Sequence, residues 1–180
     1  TVSKIAGEKC GIIKNGGITI TSPNQDSAAL KVIRLAASKR DNALFVPDLN
    51  DLVVKGSDLF GTDIVYKGIP IHIPVGGAHQ IENASVSAEC ALRLKARGIK
   101  LSDKDISRGI GASALPARTE VLARRPLVIL DGGHNASGIA ALAGLLGGYL
   151  KTAQHGKVYA VCGMMADKDY MRWVGFIAPL

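Results

Sequence analysis

The sequence predicts an α/β protein, and three patterns carry that expectation. Residues 18–21, which alternate, and 43–46 read as short strands flanking a helical period over 28–38, the order of a β-α-β unit with a parallel pair and a right-handed crossover. The apolar run 127–130 stops at Asp131-Gly132-Gly133-His134-Asn135 and a helical stretch follows over 136–150, as at the carboxyl end of a buried parallel strand. Between these lie alternating runs at 52–54, 63–66 and 69–73, separated by glycine-containing turns, which predict a small antiparallel meander.

Taken in order, residues 2–14 begin helical, with Val2, Ile5 and Ala6 at near-helical spacing and Gly11 marking the end. Gly16-Gly17 is a turn before the first strand. Ser22 or Asn24 is expected to cap the helix over 28–38, with Pro23 in its first turn. Lys67-Gly68 is the turn between the last two meander strands. Residues 76–97 open with glycines and then run helical to Gly98, with Ile81, Ala84, Ala88 and Leu92 on the apolar faces. A shorter helix over 102–110 takes Ser102 or Asp103 as cap, and Asp105 suits the positive end of its dipole. Residues 111–116 read as a linker, which places a domain boundary near 113. Beyond it, strands around 120–122, 127–130 and 157–162 and helices over 136–150 and from Tyr170 predict a doubly wound α/β domain cut after its third strand.

Composition narrows the class. Apolar residues make up 47% and charged residues 21% of 180, enough for a core and too little charge for disorder. Aromatics at 4% leave few stacking platforms for single-stranded nucleic acid. The net charge of +7 suits an anionic ligand such as a nucleotide; it is dispersed rather than clustered, which argues against nucleic acid as a partner. Cys10, Cys90 and Cys162 lie far apart without a CxxC and read as reduced thiols of a cytoplasmic protein. No run has the roughly 20 apolar residues a membrane span needs, and no signal-peptide pattern opens the chain. Both ends read as cut from a longer protein.

Several residues are candidates for chemistry, each with a plain alternative. Lys9 is either a solvated charge at a helix C-terminus or, if buried, a reactive amine. Asn83, one turn from His79 and Gln80, either helps to cap its helix or reads the edge of a nucleobase. Arg118 is either an exposed linker residue or a fork for phosphate oxygens. Asp131 needs a partner at the tip of its strand: a helix N-terminus or a ribose hydroxyl. His134 is a ligand or an ordinary histidine. Asp167-Lys168-Asp169 is a solvated loop or the rim of a site. The chain contains no Walker A sequence, no GxGxxG turn, no GxSxG elbow and no zinc-type Cys/His spacing, so nothing in it is a self-contained catalytic centre.

Five segments in register resemble the folylpolyglutamate synthase family, its bifunctional dihydrofolate synthase form included, within the Mur ligase superfamily. IAGEKCGIIK resembles the family's IAxEKAGIxK, and GGAHQIENASVSAECAL its GxHQxxNAxxAxxAL helix. LPARTE stands where the family has WPGRxE, LDGGHN matches LDGAHN, and VCGMMADKD matches GMMxDKD. Three positions depart from the pattern: Cys10 for Ala, Ala117 for Gly behind Leu115 in place of the aromatic, and Gly133 for Ala.

The resemblance implies the later part of a P-loop ATPase domain over 1–112 and the first part of a Rossmann-like C-terminal domain over 113–180. It implies ATP-dependent addition of L-glutamate to a reduced folate or dihydropteroate through an acyl phosphate, with Mg2+, between closing domains. By motif, Lys9 would be carbamylated and hold magnesium, Asn83 would meet the adenine edge, Arg118 the phosphates and Asp131 the ribose. His134 would sit at the glutamate and acyl-phosphate site, and Lys168 and Asp169 at its rim. The competing readings are a Mur-type ligase for another acceptor and a non-catalytic nucleotide-contacting module. On any of them the 180 residues alone are expected to be inactive and to self-associate, whereas the parent is expected to be a monomer with small-molecule partners and no membrane or nucleic-acid partner.

Overall fold

The computed structural model describes residues 1–113, 116–152, 157–165 and 169–180. Two compact units share the chain: 1–53, 65–70 and 82–110 form one, and 54–64, 71–81 and 111–180 the other.

In the first unit, α1 (Val2–Lys9) runs into a 3-10 turn over Cys10–Ile12. Strands β1 (Ile18–Ile20) and β2 (Ala43–Phe45) pair in parallel, Ile18 opposite Ala43, with α2 (Ser27–Ser38) as the crossover. The buried residues of α1 and α2 are small (Ala6, Ala29, Ala37), which lets the two helices pack closely. The cap of α2 is Asp26, not Ser22 or Asn24: its Oδ1 accepts from the N–H groups of Ala28 and Ala29 at 2.8 and 3.1 Å. A cap must directly precede the first helical residue, and only Asp26 does. Ser22 and Asn24 instead donate to the Glu82 carboxylate, at 3.1 and 2.6 Å.

The meander is present as β3 (Leu52–Asp58), β4 (Gly61–Tyr66) and β5 (Ile69–Ile73), paired in that order. Lys67 and Gly68 both have positive φ (49° and 81°), the signature of a type I′ turn joining antiparallel strands. Alternate residues Thr62, Ile64 and Tyr66 on β4, and Ile69, Ile71 and Ile73 on β5, are buried. Helix α3 (Ala78–Ala96) starts where the backbone is tightest: a Cβ on Gly76 would lie 2.1 Å from the Asp58 carbonyl oxygen. It ends in a Schellman motif, with Gly98 at φ 93° and the Ile99 N–H donating to the Leu94 carbonyl at 3.1 Å. Before α4 (Asp103–Gly111), Ser102 and Asp105 form a capping box: Asp105 N–H donates to Ser102 Oγ, and Ser102 N–H to Asp105 Oδ2.

A polar network ties the meander turn to α3. Glu89 is 1% exposed and its carboxylate accepts from Tyr66 Oη and Lys67 Nζ, each at 2.8 Å, and from the Arg93 guanidinium. Arg93 in turn lies over the Phe45 ring, 3.9 Å from its centroid. Burial opposes charge on Glu89, but the hydrogen bonds from Lys67, Arg93 and Tyr66 outweigh it and hold the carboxyl below its usual range. Burial, and then the bond to Glu89, raise the Tyr66 phenol well above its ordinary value.

Two expectations fail in the second unit. β7 (Leu127–Leu130) is not a buried parallel strand. It pairs antiparallel with β6 (Glu120–Arg124), Glu120 opposite Leu130, and Val128 and Leu130 are exposed. The reason is connectivity: two residues separate the strands, a link that permits a hairpin and no crossover. Residues 157–162 form no strand, and Val161 is fully exposed; an apolar run becomes a strand only against a ladder partner, and it has none among the described residues. The expected helices are present as α5 (Ala136–Thr152) and α6 (Tyr170–Ile177), which bury Ile139, Ala143 and Ile177 against Leu142, Trp173 and Leu180. Among the described residues, no helix is long and apolar enough to cross a membrane.

Candidate functional site

The turn that carries Arg118 is tied down on both sides. Ala117 (φ 54°) and Thr119 (φ 49°) flank it in the left-handed region, which side chains with a Cβ rarely occupy. Such residues cost on the order of 1–3 kcal/mol each and persist only where their surroundings over-determine them. Here the Ala117 N–H donates to Glu120 Oε2 at 2.8 Å, and the Ala117 carbonyl accepts from the Gly132 N–H at 2.7 Å. Thr119 gives both its N–H (2.8 Å) and its hydroxyl (3.2 Å) to Asp131 Oδ2. Asp131 Oδ1 accepts from the Gly133 N–H at 2.7 Å. The departure from the glycine of the family motif therefore leaves the turn in a glycine-like conformation, built with an alanine under strain.

Arg118 itself is exposed and makes no hydrogen bond or ion pair among the described residues. It lines a cavity of about 350 Å³ together with Arg124 and an apolar wall that includes Leu59, Phe60, Val75 and Val121. The Arg124 guanidinium stacks 4.3 Å from the Phe60 ring centroid, and Phe60 meets Tyr149 edge-on. Two guanidinium groups beside an apolar wall suit an anion carried on a less polar body.

Asp131 is not a helix cap. Asn135 serves α5, its Oδ1 accepting from the Gly138 N–H at 2.8 Å. With two donors on Oδ2 and one on Oδ1, the Asp131 carboxylate keeps one acceptor position on Oδ1. Gly133 is what keeps that oxygen in place, since a Cβ there would lie 2.7 Å from Oδ1. His134 is exposed, and its Nδ1 donates to the Gly132 carbonyl at 3.1 Å, which leaves Nε2 without a partner among the described residues.

Arg118, Asp131 and His134 thus share the second unit, within one hydrogen-bonded hairpin region. Lys9 and Asn83 belong to the first unit. Lys9 ends α1 and is exposed, so the burial that would favour a reactive amine is not there. Asn83 is exposed on α3, where its carbonyl accepts from Ser87 Oγ at 2.9 Å. Gln80 is buried beside it in the chain. Asp169 caps α6, its Oδ1 accepting from the Arg172 N–H, whereas Lys168 lies outside the described residues. No group of three His, Cys, Asp or Glu among the described residues could hold a metal ion. Lys9 alone does not make a magnesium site.

Sequence reasoning missed Thr119, Glu120 and Arg124. A β-branched residue directly after the arginine of an alanine-for-glycine turn was a usable signal for Thr119. Nothing in the sequence pointed to the stacking of Arg124 on Phe60, which depends on tertiary placement.

Comparison with known proteins bears on this geometry. The chain is 30% identical over 187 residues to the dihydrofolate synthase/folylpolyglutamate synthase of Bacillus subtilis, covering 97% of this chain and 41% of that protein. It is 29% identical over 177 residues to the folylpolyglutamate synthase of Lacticaseibacillus casei, covering 94% of this chain and 40% of that one. Its homologues are folylpolyglutamate and dihydrofolate synthases. The folylpolyglutamate synthase crystal structure from Thermotoga maritima superposes with a TM-score of 0.66 at 33% identity, over 81% of this chain and 35% of that chain. A folylpolyglutamate synthase complex with AMPPCP and folate gives 0.70 at 26%, over 84% and 38%. The mixed α/β fold is therefore that of these Mur-ligase-like synthases, and the chain spans about two fifths of the length of the curated relatives it matches. No family model matches it.

Proposed function

We propose that the chain is the nucleotide-facing portion of an ATP-dependent ligase that adds L-glutamate to folates, with residues 1–112 in the ATPase domain and 113–180 in the C-terminal domain. The observation that carries this reading is Arg118, without a partner among the described residues and held on a strained turn at a cavity wall, within a chain whose homologues are folate–glutamate ligases. In the proposed reaction a folate carboxylate oxygen attacks the γ-phosphorus of ATP, giving an acyl phosphate and ADP. The glutamate amine then attacks the acyl carbon, phosphate leaves, and an amide forms with loss of the amine's proton. Arg118 offsets the charge spread over the phosphoryl oxygens, Asp131 uses its remaining acceptor position for a ribose hydroxyl, and Asn83 reads the adenine edge. His134 stands at the glutamate and acyl-phosphate side. Lys9 is proposed as a carbamate, one carboxylate-like group among the several oxygens that magnesium needs; carbon-13 NMR under labelled carbon dioxide detects that modification.

The test is product formation by the full-length protein with ATP, L-glutamate and a panel of reduced folates and dihydropteroate. Appearance of a glutamylated folate with stoichiometric phosphate is the expected result; phosphate release with no folate acceptor in the panel would move the assignment to a Mur-type ligase for another acceptor. The absence of a Walker A sequence and of a metal-holding group among the described residues favours a narrower statement about these 180 residues. They contact nucleotide without turning it over.

A further inference from the structure

We propose that Thr119 is the positioning residue for Arg118, acting through its two bonds to Asp131; the inference rests on the reading of Arg118 as a phosphate contact. Thr119 is 5% exposed while Arg118, one residue away, is exposed. A buried β-branched residue at positive φ is unfavourable twice over, through its Cβ and its branched side chain. Asp131 Oδ2 holds it there by accepting both its N–H and its hydroxyl. On the other flank, Ala117 is held by Glu120 through its N–H and by Gly132 through its carbonyl. The backbone of Arg118 is thus fixed from both sides while its side chain is left without a partner among the described residues. That is the arrangement expected of a cation ordered before its ligand arrives, because a ligand then does not have to order the turn. Asp131 acts chiefly as the anchor of this turn, and its contact with ribose is secondary.

The experiment is a double-mutant cycle on ATP binding by the full-length protein, with thermal unfolding measured in parallel. Thr119→Val keeps the branched shape and the backbone N–H and removes only the hydroxyl; Thr119→Ser keeps the hydroxyl. Arg118→Ala is expected to weaken ATP binding about tenfold, the scale of one charge-assisted contact. Thr119→Val is expected to weaken it several-fold, Thr119→Ser to restore it, and the Arg118→Ala/Thr119→Val double variant to bind no worse than Arg118→Ala alone. Wild-type affinity in Thr119→Val, or losses that multiply in the double variant, would overturn the positioning role. ATP binding unaffected by Arg118→Ala, or absent from the wild-type chain, would instead overturn the phosphate role of Arg118 and the inference with it. Should Thr119→Val fail to fold, Thr119→Ala removes the same hydroxyl with less bulk beside Asp131. It is expected to weaken ATP binding several-fold and to add no further loss in the Arg118→Ala background; unchanged affinity there would count against the proposal.

Discussion

Ala117 occupies a backbone conformation (φ 54°) in which the Cβ of an L-residue crowds its own chain. Glycine has no such crowding but loses more conformational freedom on folding. The strain relieved exceeds the entropy lost, so Ala117→Gly should stabilise the chain by up to about 1 kcal/mol. Thermal unfolding should show this as a rise of a few degrees; a fall would mean that the alanine is not strained. The residue scale is also where the sequence was most informative about the site and least informative about its workings. The motif around Arg118 and the one ending in Asn135 mark segments that the fold brings into hydrogen-bonding contact, through Gly132 to Ala117 and Asp131 to Thr119. Yet the roles of their members depend on backbone dihedrals and on which oxygen each N–H finds, which residue identity does not specify. Gly133 illustrates this: in the sequence it is a departure from the motif's alanine, and in the structure it is room for a carboxylate oxygen.

Helix α3 and the β4–β5 turn are joined by Glu89, and this junction should show in acid and base titrations. Glu89→Ala leaves Lys67 and Arg93, each about a third exposed, without their shared partner. The expected loss is about 3 kcal/mol, at the low end of the range for breaking a buried ion pair because both cations can reach solvent. Denaturant unfolding measures it, and a loss below about 1 kcal/mol would mark the network as dispensable. The Glu89 carboxyl is held below its usual range in the folded state. Its contribution is therefore fully present above the unfolded pKa of about 4.3 and is lost as pH falls through the lower folded value. Wild type should lose more stability than Glu89→Gln as pH is taken downward through that window. Tyr66 has the opposite sign: its raised pKa contributes stability that is present below about pH 10 and is lost as pH rises toward the folded value. Wild type should therefore lose more stability than Tyr66→Phe above that pH. In the sequence, Glu89 and Arg93 are legible only as a helical pair four residues apart, which is ordinarily a solvated pair; what distinguishes Glu89 is its contact with Tyr66 and Lys67, distant in the chain. Elements governed by local signals, such as the type I′ turn, the Schellman ending of α3 and the capping box of α4, matched their patterns. β7 and residues 157–162 did not, because strand identity depends on a partner elsewhere in the chain.

At the scale of the molecule, charge and exposed apolar surface act against each other. Tyr159 is 85% and Val161 100% exposed, and Met165, Tyr170 and Met171 are also well exposed, all in the second unit. Exposed large apolar side chains in such number favour association, since burying each removes apolar area from water. The net charge of +7 opposes it by repulsion between copies. Salt weakens the second effect and not the first: the Debye length falls from roughly 30 Å at 0.01 M to about 8 Å at physiological ionic strength. Self-association of the 180-residue chain should therefore strengthen with salt, and sedimentation velocity across a concentration series at low and physiological ionic strength measures it. Charged substitutions at Val161 and Met171 should shift the distribution back toward monomer. Association that weakens with salt would point to ion pairs between copies, and a monomer at every concentration and salt would remove self-association from the account.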